Sequence, residues 1–421
     1  MKTDVAVIGG GAIGLCTAYY LWKKGAQVVL VEKGGIGSGC SLHNAGYVCP
    51  SHFIPLASPG IISRGLRWML NPSSPFYIKP RLNRQFLSWA WKFRQSCNEE
   101  NVRRAVPLLR DLGVESYNLY AELARIDGMD FGWTRKGLFI FFRTERGRHA
   151  MVEEEKLAKE IGIEAQLHDR QGIQKLEPNV EIRADGGLYF PGDAHVTPAR
   201  FVQNLEAFLE KQTQVRIFRN TSVLGFERSG DRVVSLKTTN GEFPAAEFVL
   251  CGGAWSPGIL RSLGIRLLVE AGKGYSITIP RKDRKPAIPF VLTEARVAVT
   301  PMGDTLRFAG TMELAGLDLS ITQRRVNAIQ KAIDLYIGGF SDADFQNKEV
   351  WSGLRPVSPD GVPFIGRFKD YPNLIAATGH AMIGMSLAPV TGKIVSQLVE
   401  GEQPGFDMRL LNPDRFRGQW K

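Results

Sequence analysis

No aspartate or glutamate occurs between Glu32 and Glu99. Over the same stretch Lys33, Arg64, Arg67, Lys79, Arg81, Arg84, Lys92 and Arg94 supply eight positive charges, so most of the net charge of +11 is concentrated there. Cysteine is scarce as well. The five thiols (Cys16, Cys40, Cys49, Cys97 and Cys251) are odd in number and fit neither a disulfide framework nor a zinc spacing, so no metal is expected. Nothing approaches the ~18–20 apolar residues of a membrane-spanning helix. An apolar strand begins at Val5, so no leader peptide is expected. Reduced thiols and a cytoplasmic location, with the inner face of the cytoplasmic membrane as one option, are the expectation. No nucleic-acid recognition module accompanies the basic charge, so nucleic acid is not an expected partner. A chain of 421 residues exceeds one ordinary core, and 44% hydrophobic with 23% charged residues is an ordinary balance for a soluble protein of two domains.

What is present begins at the N-terminus. Val5-Ala6-Val7-Ile8 runs into Gly9-Gly10-Gly11-Ala12-Ile13-Gly14, a helical stretch follows from Leu15 to Lys24, and Val28-Val29-Leu30-Val31 ends at Glu32. Strand, glycine turn, helix, strand and acid form a βαβ dinucleotide unit. Gly9 suits the tight turn, Gly11 a close approach to a pyrophosphate, and Gly14 the contact of helix with strand. The helix start offers unpaired N–H groups to that pyrophosphate. Glu32 lies 18 residues beyond Gly14, near the spacing of a carboxylate that accepts ribose hydroxyls and repels a 2′-phosphate. This spacing alone leaves FAD and NAD both open. The glycine-dense loop of residues 34–46 then favours the longer cofactor, because it leaves the second strand where a dinucleotide would continue.

Residues 53–95 read as a basic insertion broken by prolines, with Trp68, Trp89 and Trp91 among its cations. Two readings stand: an amphipathic surface against anionic lipid headgroups, or core aromatics with solvated cations. Helices are expected over residues 102–124, 150–161, 198–209 and 324–336. Strands are expected at 133–142, 187–190, 216–218 and 223–226, followed by a hairpin over 231–237. Phe248-Val249-Leu250-Cys251 runs into Gly252-Gly253-Ala254-Trp255, a second strand ending in a glycine turn beside the first. Strands at 273–279, 297–299 and 305–310 suggest a separate antiparallel sheet. A second strand–glycine–helix unit closes the chain, with Leu374-Ile375-Ala376-Ala377, then Gly379-His380 to Gly384, then a helix from near Met385.

Together these motifs resemble the D-amino-acid oxidase-type flavoproteins, and within them the bacterial D-amino-acid dehydrogenases. The resemblance spans nearly the whole chain. It rests on the opening glycines with Glu32, Ser41 to Gly46, Gly252-Gly253-Ala254-Trp255, Lys273-Gly274-Tyr275-Ser276, Trp351-Ser352-Gly353-Leu354-Arg355-Pro356 and Thr378-Gly379-His380. It implies an α/β (α+β overall) fold with a discontinuous Rossmann-like FAD-binding domain over residues 1–52, 145–225, 245–262 and 346–421. A substrate domain with a mainly antiparallel sheet would take 96–144, 226–244 and 263–345, leaving 53–95 as the insertion. It implies noncovalent FAD, with Gly9, Gly11, Ala12, Ile13, Gly14, Glu32 and Lys33 at the first turn. Ser41, Asn44, Ala45 and Gly46 would follow in the loop, Val223, Gly253 and Trp255 beside it, and Gly353, Gly379, Gly384 and Met385 at the far end.

Arg355 matches the family's carboxylate-binding arginine, a planar fork suited to a bidentate grip. Tyr275 is the expected second contact. His380 is ambiguous between the pocket and a structural role, and His43 has a weaker claim. Relatives that oxidise glycine carry an arginine two residues after that histidine. Here Met382 stands there, which predicts a less polar pocket for bulkier or cyclic D-amino acids. The helix near Met385 is expected to aim its N-terminus at the flavin N1–C2=O edge. No catalytic base is identifiable. The implied activity is FAD-dependent oxidation of D-amino acids to 2-oxo acids and ammonia, or of D-prolines to cyclic imines, with electrons passed to a quinone or another acceptor. The alternatives are a sarcosine- or glycine-type amine oxidase using oxygen and a non-catalytic flavin-binding subunit.

Overall fold

Strands that are apolar at every position need cover on both faces, and the first two strands, Val5–Ile8 and Val28–Val31, are buried throughout. They pair in parallel, and Glu247–Leu250 lies parallel along the other edge of the first. The computed structural model describes residues 3–63, 65, 74–79, 81, 83–280 and 285–417. Among these described residues the three strands belong to a six-stranded sheet, ordered Phe364–Phe368, Tyr371–Thr378, Glu247–Leu250, Val5–Ile8, Val28–Val31 and Val215–Phe218. Only the edge pair, Phe364–Phe368 with Tyr371–Thr378, is antiparallel. The helices Ala12–Lys23, Glu99–Leu123, Pro198–Glu210 and Ala388–Val399 share one apolar core with a face of this sheet. A three-stranded antiparallel sheet, Val223–Ser229, Arg232–Thr238 and Gly241–Pro244, packs on the opposite face.

A second sheet, nine-stranded among the described residues and mainly antiparallel, is centred on the long strands Glu270–Pro280, Thr305–Leu314 and Glu349–Val357. Helix Gln323–Tyr336 buries Val326, Ile329 and Ile333 in its core. The discontinuous Rossmann-like unit and the separate antiparallel sheet are therefore both present.

The segment boundaries differ from the expected ones. Helix Glu145–Glu160 and the strands Gln166–Asp169 and Gly186–Phe190 join the nine-stranded sheet, although residues 145–225 were expected with the cofactor unit. Helix Glu99–Leu123 and the three-stranded sheet pack on the six-stranded sheet instead. Strand Glu349–Val357, expected with the cofactor unit, pairs with Glu270–Pro280. An amphipathic face states that an element is covered and not by which layer, which is why these assignments are not local properties of the sequence.

In the basic stretch, Arg64, Leu66, Arg67, Trp68, Met69, Leu70, Pro72 and Pro80 lie outside the described residues. The remainder contains an unexpected helix, Arg84–Ser96, capped by Asn83 Oδ1, which accepts from Phe86 N at 2.7 Å. Its aromatics divide between the two readings. Trp89 is buried and donates from its indole nitrogen to the Val357 carbonyl at 2.8 Å, while Leu87 and Trp91, four residues apart, are each 51% exposed.

Candidate active site

The three strand–glycine turns end side by side, because their strands are neighbours in the six-stranded sheet. At Gly14 the reason for glycine is a close approach: a β-carbon there would lie 1.8 Å from the Gly9 carbonyl oxygen. Two hydroxyls tie the second turn to the third. Thr378 Oγ1 donates to the Gly253 carbonyl at 3.2 Å, and Ser256 Oγ meets Thr378 Oγ1 at 3.3 Å.

A cavity of about 820 Å³ follows these turns, toward the upper end of the roughly 300–1,000 Å³ common for ligand sites. Gly9, Gly11, Ala12 and Ile13 line it at the start of helix Ala12–Lys23, whose first turn carries no acidic residue. Glu32, Lys33, Ser41, Asn44 and Val223 also line it, as do Gly253, Trp255, His380, Gly384 and Met385. The structure thus brings most of the expected site residues to one cavity.

Local bonds explain several of these positions. The Ser41 hydroxyl accepts from Ala12 N at 2.9 Å, so a side chain from 29 residues away caps the first helix. Glu32 accepts from Gly10 N at 2.7 Å through one oxygen and from Gly34 N at 3.0 Å through the other. Each carboxylate oxygen keeps a lone pair for a ligand hydroxyl. Lys33 lies 3.2 Å from the centre of the Trp255 ring, a cation–π contact, and burial lowers its pKa. Arg307, which nothing in the sequence singled out, is buried and donates to the carbonyls of Leu42 at 3.0 Å and Asn44 at 2.9 Å. It holds the glycine-rich loop against the second sheet, and burial brings its pKa down to about 10.

The last turn is fixed from behind. Tyr120 donates to the Met385 carbonyl at 2.6 Å, and Ser116 to the Ser386 carbonyl at 2.6 Å. Cys49 N donates to Ser386 Oγ at 3.1 Å. The following helix begins at Ala388, not near Met385, with Pro389 in its first turn; proline lacks the N–H that an earlier turn would require. His380 is buried against Thr391 Oγ1 at 2.9 Å, and burial lowers its pKa to about 3, so its ring is neutral.

The remaining expected residues sit outside the cavity walls. Gly14 packs the helix. Ala45 adjoins Gly46, whose carbonyl accepts from Val196 N at 2.8 Å. Gly353 lies beneath the Trp351 indole, and Gly379 backs onto Phe364. Tyr275 departs most from expectation. It is buried in the core of the second sheet and donates to Glu313 Oε1 at 2.7 Å. Side chains alternate along a strand, so Tyr275 faces the opposite way from Gly274, over which the Arg355 guanidinium lies. A β-carbon on Gly274 would meet Nη1 and Nη2 of that arginine at 2.3 Å. Arg355 Nη1 donates to the Thr311 carbonyl at 2.6 Å. Burial lowers the pKa of Arg355, and the neighbouring Cys40 thiol is a wall of the cavity. Met382 is 52% exposed and is not a cavity wall, so the expected loss of pocket polarity does not follow from it. Arg81, one of the cations of the acid-free stretch but not an expected site residue, lines the cavity as an ion pair with Glu270 at 2.5 Å.

This donor set fits an ADP-containing cofactor. An acid-free helix start lies on one wall, and a carboxylate with spare lone pairs lies on another. The chain matches the FAD dependent oxidoreductase family over residues 4–398. A D-amino acid dehydrogenase of Granulibacter bethesdensis is 31% identical over 98% of this chain and 100% of its own length. One from Vibrio atlanticus is 33% identical over 98% of this chain and 100% of its own length. The crystal structure of glycine oxidase from Geobacillus kaustophilus superposes with a TM-score of 0.78 at 23% identity, covering 98% of this chain and 99% of that one. The chain belongs to the FAD-dependent oxidoreductase family, and FAD is its cofactor.

Proposed function

We propose that this FAD-dependent oxidoreductase oxidises D-amino acids to 2-oxo acids and ammonia, or cyclic D-amino acids to imines. The observation that carries this reading is the placement of Arg355. Its guanidinium is fixed by Gly274 beneath it and, among the described residues, by one bond to the Thr311 carbonyl. A guanidinium has five N–H donors, so most of the fork is left for a substrate carboxylate. The naming of relatives that share about a third of their residues with this chain over nearly their full length supports the D-amino acid class.

The residues around the cavity bind and orient. Gly9 to Ile13 and Glu32 would hold the ADP portion of the cofactor, and Gly384 and Met385 would border its far portion. Bound FAD supplies a two-electron acceptor for the substrate Cα–H. Arg355 fixes the carboxylate so that the Cα–H has one presentation. Burial keeps the His380 ring neutral and raises the Cys40 pKa, so neither is ionised at neutral pH. The substrate amine must then arrive uncharged, and water hydrolyses the resulting imine.

The electron acceptor in this reading is a quinone reached at an anionic membrane. Leu87 and Trp91 project from one face of helix Arg84–Ser96, and the Arg94 guanidinium lies over the Trp91 ring at 5.8 Å. Such a face suits a headgroup layer. No helix among the described residues is long and apolar enough to cross a membrane. Co-sedimentation with anionic vesicles, reduced in Trp91→Ser, tests this part.

The main test is anaerobic bleaching of the bound flavin by D-alanine, D-proline and their L-forms. Bleaching by the D-forms alone supports the proposal. Rapid peroxide formation with glycine or sarcosine and no added acceptor would move the assignment to an amine oxidase. No bleaching by any amino acid would point to a non-catalytic subunit.

A further inference from the structure

The cofactor cavity has a wall that no glycine turn forms. Val269, Ala271, Leu317, Leu354 and Pro356 make it apolar, and Arg81 and Asn83 stand on it with donors. Ala381 lines the cavity too and donates from its backbone N–H to the Pro356 carbonyl at 2.7 Å. It follows His380 directly, so this wall adjoins the turn that would border the far portion of the cofactor. The Arg81 guanidinium is held 4.8 Å from the centre of the Phe86 ring, with Nη2 bonded to Glu270 Oε1. Among the described residues Glu270 is its one hydrogen-bond partner, and a guanidinium has five N–H donors. Asn83 accepts from Phe86 N through Oδ1, which leaves its amide nitrogen as a donor.

The rim of this wall is aliphatic. Leu317, Leu319 and Ile321 are 46–55% exposed and alternate along the segment that follows strand Thr305–Leu314. Gly316, near the start of that segment, lies against Arg81: a β-carbon on it would stand 2.8 Å from Nη1. Asp318, between two of the leucines, pairs with the buried Lys273 at 3.2 Å, and Lys273 also donates to the Ser320 carbonyl at 2.9 Å. Ser352 Oγ donates to the Leu319 carbonyl at 2.5 Å. These polar groups are bound to the sheet while the three aliphatic side chains face outward, the reverse of an ordinary surface segment. A cluster of this kind at a cavity mouth marks a surface for an apolar ligand.

We propose, resting on the reading above that a quinone accepts the electrons, that this wall is the acceptor's site. A quinone is flat, apolar and uncharged, and its carbonyl oxygens call for donors. The Arg81–Glu270 pair is neutral as a whole, which suits an uncharged ligand better than a second carboxylate. Arg81 and Asn83 donate to one quinone carbonyl, and the guanidinium stabilises the negative charge that grows on that oxygen during reduction. The quinone takes two electrons and one proton from the reduced flavin and a second proton from water, which leaves quinol and oxidised flavin. Leu317, Leu319 and Ile321 carry its hydrocarbon tail out of the cavity.

The test uses FAD-loaded protein whose flavin is photoreduced with EDTA, so no amino acid is involved and failure of the D-amino acid reading is told apart from failure of this one. Stopped-flow absorbance then follows anaerobic reoxidation of the flavin by decylubiquinone and by duroquinone, which has no tail. Saturable reoxidation by decylubiquinone is expected, with an apparent affinity about tenfold or more weaker in Arg81→Met. Decylubiquinone should also raise the melting temperature of the oxidised, FAD-loaded protein, and that rise should shrink in the same variant. Asn83→Asp keeps the helix cap and removes the amide donor, so it serves the same purpose should Arg81→Met fail to fold. Leu319→Ser combined with Ile321→Ser should weaken decylubiquinone and spare duroquinone. Reoxidation that does not saturate, quinone affinity indifferent to both Arg81→Met and Asn83→Asp, or a raised KM for D-alanine in place of a weakened quinone would overturn the proposal.

Discussion

Gly274→Ala offers a severe test of how the substrate carboxylate is held. The new β-carbon would stand 2.3 Å from both terminal nitrogens of Arg355 and 2.4 Å from Cζ. Ordinary contacts with carbon lie near 3.5 Å, so the guanidinium must retreat by about 1 Å. The bond to the Thr311 carbonyl, 2.6 Å long, has to stretch or re-aim with it. Misplacement of a positioning group by about 1 Å can lower a rate about 100-fold, some 2.7 kcal/mol of transition-state stabilisation. Steady-state kcat/KM for D-alanine with a dye acceptor should therefore fall by about 10- to 100-fold. Flavin absorbance and FAD affinity should be unaffected, because residue 274 is not a wall of the cofactor cavity. A kcat/KM close to that of the native chain, with FAD fully bound, would refute the reasoning and remove Arg355 from the carboxylate site.

Other perturbations read other parts of the site. Glu32→Gln leaves Gly10 N or Gly34 N without an acceptor, and the FAD dissociation constant, followed by flavin fluorescence, should rise about 10- to 100-fold. Arg307→Met frees the carbonyls of Leu42 and Asn44, which should lower the melting temperature and weaken FAD binding together. Asp193 is a buried acid bonded to Ser51, and burial raises its pKa from the ordinary 3.8 to about 7. Between those values the folded chain holds a proton that the unfolded chain releases, so stability falls as pH rises from about 4 to about 7. Asp193→Asn should flatten that slope and melt higher than the native chain at pH 8. His52 and His195 behave in the opposite sense. Burial depresses each to about 4 from 6.5, so their contribution is present above pH 6.5 and lost as pH falls toward 4; differential scanning calorimetry across pH 4–7 checks the sum.

The three strand–glycine turns were legible because their signal is local: an apolar run, then glycines, then a helical period. Their adjacency followed from parallel pairing. Features set by distant residues were not legible. The first helix begins at Ala12, three residues before the start its periodicity suggests, because Ser41 caps it from another loop. Arg307 resembles any strand arginine until the loop it anchors is in place. Tyr275 shares a motif with Gly274, but a strand sends neighbours to opposite faces, and the strand character of Glu349–Val357 was masked by its glycine and proline. Of the tryptophans in the basic stretch, Trp89 found a carbonyl in the interior while Trp91 did not, a choice made by the fold around them.

The pairing of the first helix with the last has a consequence for biosynthesis. Ala12–Lys23 packs against Ala388–Val399 so tightly that a β-carbon on Gly392 would lie 2.5 Å from the Cys16 carbonyl oxygen. The dinucleotide motif leaves the ribosome first, yet its helix waits for nearly the whole chain before its apolar face is covered. Contacts of such long sequence separation form slowly and leave sticky surface exposed meanwhile. A nascent chain stalled before residue 388 should therefore take up no FAD and should depend on chaperones, so that flavin incorporation reports completed synthesis.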